Sequence, residues 1–312
     1  MPCYNEEEVL RETANRLGGK MRALMERGGL SQDCRVVFVD DGSRDGTWGI
    51  IEQLIAEDKL FAGIKLSRNR GHQHALLAGL MTVRDAADIV ISIDADLQDD
   101  IDAIDKMLDE YRNGCDIVYG VRENREKDSF FKRSTAEMYY KLLRSFGCDI
   151  VFNHADYRLM SSRALAALSE YEEQSLFLRG LVPMLGFKTA VAPYERGARE
   201  AGESKYPLKR MLALAFNGLI SLSLRPLRVV LVVGLAMILF AIALLIYAII
   251  SFSRGGQALD WKIIAVSVWA VGGIVTFSTG IVGEYVGRAF LETKRRPRYY
   301  VEKISGEMGD LS

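Results

Sequence analysis

The chain has 312 residues, of which 49% are hydrophobic and 26% are charged, and its formal net charge at pH 7 is -1. A chain of this size can bury one substantial core, and its balanced charge provides no global basic field of the kind that favours binding to nucleic acid. The 4 cysteines lack any Cys-x-x-Cys spacing, which argues against a zinc site or a disulfide framework and is typical of reduced thiols in a cytoplasmic domain.

The chain begins with a polar segment, PCYNEEE from Pro2 to Glu8, of the kind that normally follows a β-strand, although no strand precedes it. The pattern from Glu12 to Arg27 predicts an amphipathic helix, because apolar residues recur at helical spacing and a Gly-Gly pair follows. The sequences G-x-x-x-x-G-K-[ST] and G-x-G-x-x-G are both absent, so neither an ordinary ATPase nor a classical dinucleotide-binding protein is supported.

A second strand is predicted from Cys34, and it ends in Asp40 and Asp41 before a turn and a helix. A carboxylate at such a strand end can accept hydrogen bonds from a nucleobase or from ribose hydroxyls, but a turn with an Asp helix cap explains the same residues equally well. A third strand, Phe61 to Leu66, leads through a polar loop into an apolar helix at Ala75 to Met81. In an open α/β sheet, ligands bind in a crevice at the carboxyl ends of the strands, and polar residues at these strand ends can line it.

The most informative stretch runs from Asp88 to Asp100, where β-branched apolar residues end in Asp94, Asp96 and further acids. Alternate residues of an extended chain point the same way, so an Asp-x-Asp pair can share one Mg²⁺ or Mn²⁺ and leave positions for substrate phosphates. Two alternatives stay open: a cap at Asp99 or Asp100 for a helix starting near residue 101, and a phosphatase-type Asp nucleophile. An EF-hand loop is excluded because its required Gly and Glu positions both hold Asp.

Two later segments carry candidate substrate contacts. After a strand from Asp116 to Arg122, residues 122–144 interleave basic and aromatic side chains, which suits a helix that lies against anionic headgroups or a lipid phosphate. A solvated basic helix face is the alternative. Further on, Asp156 and Arg158 are predicted to lie in a tight turn before a helix from Ser162 to Ser169.

The hydropathy pattern predicts two transmembrane helices near the C-terminus, at residues 229–250 and 263–282, joined by a short linker. An amphipathic stretch at 208–224 precedes the first and suits the membrane interface. Basic residues are concentrated before the first span and after the second, so the positive-inside rule predicts that both termini and the catalytic domain are cytoplasmic. We therefore expect a multi-pass protein of the inner or plasma membrane.

Eight short sequences occur in the same order as in one known family. They are PCYNEEE at Pro2, VDDGSRDGT at Val39, LSRNRGHQHALLAGL at Leu66, DADLQDD at Asp94, FKRSTAEMYYKLL at Phe131, ADYRLM at Ala155, GESKY at Gly202 and GEYVGRAFLETKRRPRY at Gly283. Together they resemble the polyprenyl-phosphate glycosyltransferases of family 2, the bactoprenol glucosyltransferase group, which is related to dolichyl-phosphate mannose synthases. The phosphatase alternative is disfavoured, because Gln98 stands where that mechanism needs Thr or Val.

The resemblance implies an α/β fold of the GT-A type, a Rossmann-like open sheet, followed by amphipathic interfacial helices and two transmembrane helices. The implied boundaries are a cytoplasmic GT-A domain at 1–206, an interfacial segment at 207–228, a membrane region at 229–287 and a basic cytoplasmic tail at 288–312. The implied reaction is an inverting transfer of a sugar from a nucleotide sugar to undecaprenyl or another polyprenyl phosphate, for cell-envelope glycan modification. Glucose and N-acetylglucosamine, both UDP-linked, are the leading donors. The alternative is a membrane partner protein that binds nucleotide sugars without turnover.

The family pattern also assigns roles to individual residues. Nucleotide-sugar contacts fall on Pro2, Tyr4, Asn5, Glu6, Asp41, Asp94 and Asp96. The ligands for Mg²⁺ or Mn²⁺ are Asp94, Asp96 and Gln98, and the lipid-phosphate contacts are Arg122, Arg133 and Lys205. The catalytic set is Asp156, Asp96, Arg122 and Arg133, with Asp156 at the position proposed to act as base.

A phosphate monoester is mostly ionised near neutral pH, so Asp156 is expected to orient the acceptor or Arg158 more than to remove a proton. The partners implied are the nucleotide sugar, the polyprenyl phosphate, the lipid bilayer, and a flippase and a further glycosyltransferase acting downstream. Relatives with this architecture associate near the membrane, which implies a homo-oligomer.

Overall fold

The structure is a computed structural model, and it describes residues 1–96, 98–122, 154–174, 176–195 and 261–307, together with scattered helical positions between 230 and 250. Its elements, in chain order, are β1 (Pro2–Cys3), α1 (Leu10–Glu26), β2 (Val36–Asp40), α2 (Thr47–Glu57), β3 (Phe61–Leu66), α3 (His72–Val83), β4 (Ile89–Ser92), α4 (Ala103–Arg112), β5 (Ile117–Arg122), β6 (His154–Ser161), α5 (Ser162–Ser169), α6 (Leu178–Met184), β7 (Thr189–Tyr194), α7 (Trp261–Thr293) and β8 (Val301–Ser305).

Hydrogen bonds join the described strands into two four-stranded sheets. The first has the order β1-β2-β3-β8, with β1, β2 and β3 parallel and β8 antiparallel to β3. The second has the order β4-β6-β5-β7, in which β6 is antiparallel to both of its neighbours while β5 and β7 are parallel. Parallel strands end at one edge of a sheet, so the loops after β1, β2 and β3 meet there.

Helices pack on both faces of the sheets. Consecutive residues of one strand point to opposite faces, and they lie in different apolar clusters. Phe38 of β2 packs with residues of α1 and α4, whereas its neighbour Val39 packs against α3. On β5, Val118 lies in the first of these clusters, and Tyr119 joins residues of α5 and α6 in another. Strands that are buried on both faces read as nearly continuous apolar runs, which is why they were recognisable in the sequence.

Helix α3 lies directly on β2, and a glycine makes this close approach possible. A Cβ atom added at Gly79 would come within 2.7 Å of Cγ2 of Val39. A larger residue would push the helix away from the sheet. The N-terminal end of α3, where His72 and Gln73 lie, is thereby fixed relative to the strand ends.

The helices and strands predicted in the first 122 residues and at 162–169 are present with small shifts at their ends, but two expectations were wrong. The polar N-terminal segment itself begins with a short strand, β1, which pairs with β2 through Pro2 and Cys3. The predicted tight turn around Asp156 is instead the eight-residue strand β6, which lies inside the second sheet. The charges of Asp156 and Arg158 suggested an exposed turn, but in the structure they are buried because they pair with each other at 2.6 Å.

The C-terminal part of the described chain returns to the first sheet. Residues 263–282, the second predicted span, lie within α7, and the following β8 forms the edge strand beside β3. The predicted basic tail therefore contributes a strand to the sheet, with Lys65 of β3 paired to Glu302 of β8. The sequence could not predict this pairing because β8 and β3 are far apart along the chain.

Within the part of the chain that the structure describes, no helix combines the length and apolar composition needed to cross a bilayer. Several sequence predictions fall outside the described residues. They concern the basic segment after Arg122, the phosphate ligands Arg133 and Lys205, the amphipathic stretch at 208–224 and much of the first predicted span.

Candidate active site

Two acids converge because β4 and β6 are antiparallel neighbours. Ser92 at the end of β4 pairs with Arg158 on β6, so continuing the register by two residues brings Asp94 opposite Asp156. The first residue of α3, His72, lies against both: its Nε2 is 3.5 Å from Oδ1 of Asp94 and 3.5 Å from Oδ2 of Asp156. Three elements that are separate in sequence thus form one cluster.

Asp156 is the centre of a buried network of hydrogen bonds. Its side chain is 5% exposed and accepts hydrogen bonds from Nη2 of Arg158 at 2.6 Å, from Nη2 of Arg179 at 3.1 Å and from Nε2 of Gln73 at 3.3 Å. Burial opposes ionisation of this carboxyl, but Arg179, His72 and Arg158 outweigh it and hold its pKa well below the usual range. A carboxylate with so low a pKa is a weak proton acceptor, and its contacts suit it to orient the two arginines.

The two arginines on Asp156 differ in exposure, and so in what they can reach. The Arg158 side chain is 1% exposed, and its Nη1 donates to the carbonyl oxygen of Leu178 at 3.4 Å. The Arg179 side chain is 39% exposed. Arg158 is therefore a structural counter-ion, whereas Arg179 presents a positive charge at the surface of the cluster, where an anionic substrate group can approach it.

The acidic loop after β4 is held by tyrosines from the second sheet. The Tyr194 hydroxyl donates to Oδ1 of Asp99 at 2.5 Å, and the Tyr157 hydroxyl donates to the carbonyl oxygen of Asp100 at 3.0 Å. Asp99 is thus engaged in anchoring the loop, not in capping α4. The helix α4 begins later, at Ala103, and its N-cap residue Asp102 makes no side-chain capping bond. Oδ1 of Asp100 accepts a hydrogen bond from the Asp102 amide at 2.9 Å, so the capping alternative applies to Asp100, in the turn just before the helix, and not to Asp99.

Arg122, a predicted lipid-phosphate ligand, lies at the end of β5 beside this loop. Its Nε donates to the Tyr194 hydroxyl at 3.3 Å, and its Nη2 is 3.9 Å from Oδ1 of Asp99. The side chain is 22% exposed. Tyr194 therefore connects the predicted phosphate-binding arginine to the acidic loop.

The predicted metal ligands lie in a region with an excess of negative charge. Burial, together with neighbouring Asp156, Asp99 and Asp96, raises the pKa of Asp94, although His72 partly offsets this. Among the described residues, no group of three or more His, Cys, Asp or Glu side chains is arranged to hold a metal ion. The carboxylates of Asp94 and Asp96 and the amide oxygen of Gln98 are hard oxygen donors, and a divalent cation offsets the repulsion between neighbouring carboxylates, so these residues fit Mg²⁺ or Mn²⁺.

The predicted nucleotide contacts surround the ends of β1 and β2. Pro2 is buried in β1, while Tyr4 is exposed. Asn5 adopts the left-handed conformation with φ 54°, and its Oδ1 accepts a hydrogen bond from the Arg44 amide at 2.9 Å. Asn5 and Glu6 also line a surface cleft with Glu7, Glu8, Val9, Arg44 and Asp45.

The two adjacent acids at the end of β2 have different surroundings. Asp41 accepts hydrogen bonds from the amides of Arg70 and Gly71 at 2.7 and 2.8 Å, so it holds the loop before α3. Asp40 accepts one from the Ser43 amide at 3.2 Å, and its buried Oδ2 has no hydrogen-bond partner among the described residues. Burial raises the pKa of both carboxyls. The strand-end pattern named both acids and the family pattern chose Asp41, but Asp40 is the one whose buried Oδ2 lacks a described protein partner.

Four site residues were not predicted from sequence. His72 lies just before the predicted helix, in the segment read as a polar loop, but in the structure it begins α3 and bridges Asp94 and Asp156. Gln73 beside it accepts the Leu178 amide hydrogen bond at 3.0 Å while donating to Asp156. Their position after Gly71, at the end of the loop that follows β3, was a usable signal. No sequence signal marked Arg179 or Tyr194, because neither residue belongs to a recognisable motif.

An α/β fold with acids at its strand ends and arginines set against them defines a glycosyltransferase of the GT-A type. The profile of glycosyl transferase family 2 matches residues 1–168, and the chain belongs to this family. An uncharacterised glycosyltransferase of Bacillus subtilis, YkoT, is 46% identical over 97% of this chain and 90% of its own length.

Two further relatives are similar over most of the chain. A prophage bactoprenol glucosyl transferase homolog of Escherichia coli is 35% identical over 97% of each chain, and the bactoprenol glucosyl transferase of Shigella phage SfX is 38% identical over 86% of this chain and 88% of its own. Glucosyl-3-phosphoglycerate synthase from Mycobacterium tuberculosis, solved with Mn²⁺ and UDP-Glc, matches 71% of this chain and 75% of its own with a TM-score of 0.42 at 18% identity, a similarity that carries no information on function.

Proposed function

We propose that this glycosyltransferase transfers a sugar, with inversion, from a nucleotide sugar to a polyprenyl phosphate. The observation that carries the proposal is the convergence at His72 of Asp94, on the predicted donor side, with the Asp156 and Arg179 pair. In this arrangement an acidic edge at Asp94, which repels anions, lies beside Arg179, which attracts them. The relatives named as bactoprenol glucosyl transferases support the choice of a lipid phosphate as acceptor.

On the donor side, Asp94, Asp96 and Gln98 would hold Mg²⁺ or Mn²⁺ against the diphosphate of the nucleotide sugar. When bound, the cation supplies charge neutralisation for the departing nucleoside diphosphate. The cleft at Asn5 and Glu6 and the free oxygen of Asp40 suit the nucleoside. UDP-glucose and UDP-N-acetylglucosamine are the donors we propose.

On the acceptor side, the protein has to hold a phosphate that is already a nucleophile. The pKa of Asp156 lies well below the usual range, so the carboxylate stays ionised and keeps Arg179 in a fixed orientation. Arg179 and Arg122 can then donate to the lipid phosphate and align one of its oxygens with the anomeric carbon. Most of the rate enhancement would come from this positioning and from electrostatic stabilisation, with little from proton abstraction. We propose Arg133 and Lys205 as further phosphate ligands.

We also propose that the protein lies at the inner or plasma membrane, with its catalytic domain on the cytoplasmic side and the exposed apolar surface of α7 against the bilayer. The surface of α7 supports this: Val268, Phe277 and Val286 are 65%, 67% and 61% exposed, which is unfavourable in water. A lipid acceptor would then be confined to the same surface as the enzyme, which raises its local concentration.

The proposal is tested with purified full-length protein, undecaprenyl phosphate, Mn²⁺ and labelled UDP-glucose or UDP-N-acetylglucosamine. We expect a labelled product that partitions into chloroform and gives the mass of a lipid-linked hexose. Asp96→Ala should abolish it, while Asp102→Ala, which removes an exposed acid of the neighbouring segment, should retain it. Donor binding without lipid product, for every common nucleotide sugar, would identify the non-catalytic alternative and reject the proposal.

A further inference from the structure

The segment that follows α7 contacts the polypeptide that carries Arg179. Both oxygens of Glu292, in the last turn of α7, accept a hydrogen bond from the Gln174 amide, at 2.9 and 2.8 Å. The Gln174 side chain donates to the carbonyl oxygen of Arg296 at 2.6 Å, and Nη1 of Arg298 donates to the carbonyl oxygen of Tyr171 at 2.7 Å. We call Glu292, Arg296 and Arg298 the C-terminal clamp.

The clamped segment leads directly into the candidate active site. Four residues after Gln174, the Leu178 amide donates to the Gln73 side chain, and the next residue, Arg179, binds Asp156. Gln73 in turn donates to the same carboxylate. The contacts therefore form a continuous chain from the end of α7 to Asp156.

The other end of the clamp is anchored on the first sheet. Directly after Arg298, the Tyr300 carbonyl accepts a hydrogen bond from the Ser67 amide at 3.0 Å, and Val301 pairs with Leu66 at the end of β3. The loop that begins at Ser67 is the one that Asp41 holds before His72. One stretch of chain thus contacts the segments that supply two partners of Asp156, Gln73 and Arg179.

We propose that Glu292 is a positioning residue for the transfer reaction, holding the segment at 171–177 so that Arg179 and Gln73 engage Asp156. This inference rests on the proposed transfer to a lipid phosphate, because Arg179 is the arginine we assign to that phosphate. Glu292 belongs to α7, whose exposed apolar surface we place against the bilayer. The position of α7 thereby affects the orientation of Arg179 on the acceptor side of the site.

The test compares Glu292→Ala and Glu292→Gln with a matched control, Glu302→Ala. Glu302 also follows α7 and pairs with Lys65 in β3, away from segment 171–177. Glu292→Ala should lower kcat about tenfold or more, because small misplacements of a substrate-positioning group have effects of this size, while the KM for the nucleotide sugar stays within about twofold. Glu292→Gln should recover part of the loss, since its amide oxygen can still accept from Gln174. Glu302→Ala should match the wild type.

A double-mutant cycle distinguishes positioning from general destabilisation. If Glu292 acts through Arg179, Glu292→Ala should change kcat by less than about twofold in an Arg179→Ala background, because coupled residues are not additive. Equal losses in both backgrounds, or an unchanged kcat for Glu292→Ala in the wild-type background, would overturn the inference.

Hydrogen exchange provides a readout that needs no substrate. Amides of residues 171–179 should exchange faster in Glu292→Ala than in the wild type and in Glu302→Ala, while those of β5 stay protected. If the wild type forms no lipid product, the proposed function fails, and exchange alone decides whether the clamp holds this segment. Unchanged exchange at 171–179 would reject the clamp even in an active enzyme.

Discussion

Asp156 and Arg158, two positions apart on β6, form an ion pair of 2.6 Å with side-chain exposures of 5% and 1%. Both side chains lie on the same face of the strand, because alternate residues point the same way. A charged pair this deeply buried is stable only while both partners are present, since either charge alone would lack compensation.

Asp156→Asn should therefore destabilise the fold strongly, by about 3–5 kcal/mol, in addition to impairing transfer. Urea unfolding of the purified protein measures the change. Asp85→Asn is the control, because Asp85 pairs with Arg84 at the surface, and it should leave the urea unfolding midpoint unchanged.

The same pair predicts a pH dependence with a definite sign. The folded state holds the pKa of Asp156 well below the usual Asp value of 3.8. A depressed carboxyl pKa contributes stability that is fully present above the unfolded value and is lost as the pH falls toward the folded value. The stability difference between wild type and Asp156→Asn should thus be constant near neutral pH and shrink below about pH 4. A difference that grows on acidification would contradict this assignment.

Tyr194→Phe removes the hydroxyl that bonds both Asp99 and Arg122. Because Arg122 is proposed to meet the lipid phosphate, we expect the KM for polyprenyl phosphate to rise about three- to tenfold, the equivalent of roughly one hydrogen bond. The KM for the donor should change less. Tyr111→Phe, near the C-terminal end of α4, is the control. A selective rise in the donor KM would argue against the proposed link.

The neighbouring acids Asp40 and Asp41 should behave differently on conversion to Asn. Asp40→Asn should weaken binding of the uridine nucleotide by about 1–3 kcal/mol with little effect on folding, because its Oδ2 has no described protein partner. Asp41→Asn should mainly loosen the loop at Arg70 and Gly71. Calorimetric titration with UDP and thermal unfolding separate the two effects. A greater loss of UDP affinity in Asp41→Asn than in Asp40→Asn would return the role to Asp41, as the family pattern predicted.

Removal of divalent metal should stop the transfer reversibly. With a chelator present we expect no lipid product, and Mn²⁺ or Mg²⁺ added in excess should restore it, because oxygen-rich sites of this kind prefer hard cations. Full activity in the chelator would reject the roles assigned to Asp94, Asp96 and Gln98.

The local pattern of the sequence was enough to predict most strands and helices of the first half. β3 and α5 were predicted at their observed ends, because an uninterrupted apolar run and a helical period are local signals. The strand β6 was missed for a local reason as well: its charges were read as exposed. Asp156 pairs with Arg158 and also with Arg179, which is 23 residues further along the chain, and no local pattern shows that second partner.

By itself, the sequence determined the acid-ended strand at Asp94 and Asp96, the family, and a lipid-phosphate acceptor as the expected substrate class. Only the tertiary structure decided that His72 joins Asp94 to Asp156, that Arg179 faces the same carboxylate, and that β8 returns to pair with β3. Hydrophobic periodicity specifies which residues form an element. Strand register and long-range ion pairs depend on how distant elements pack, so the partners of Asp156 became apparent only when the sheets were assembled.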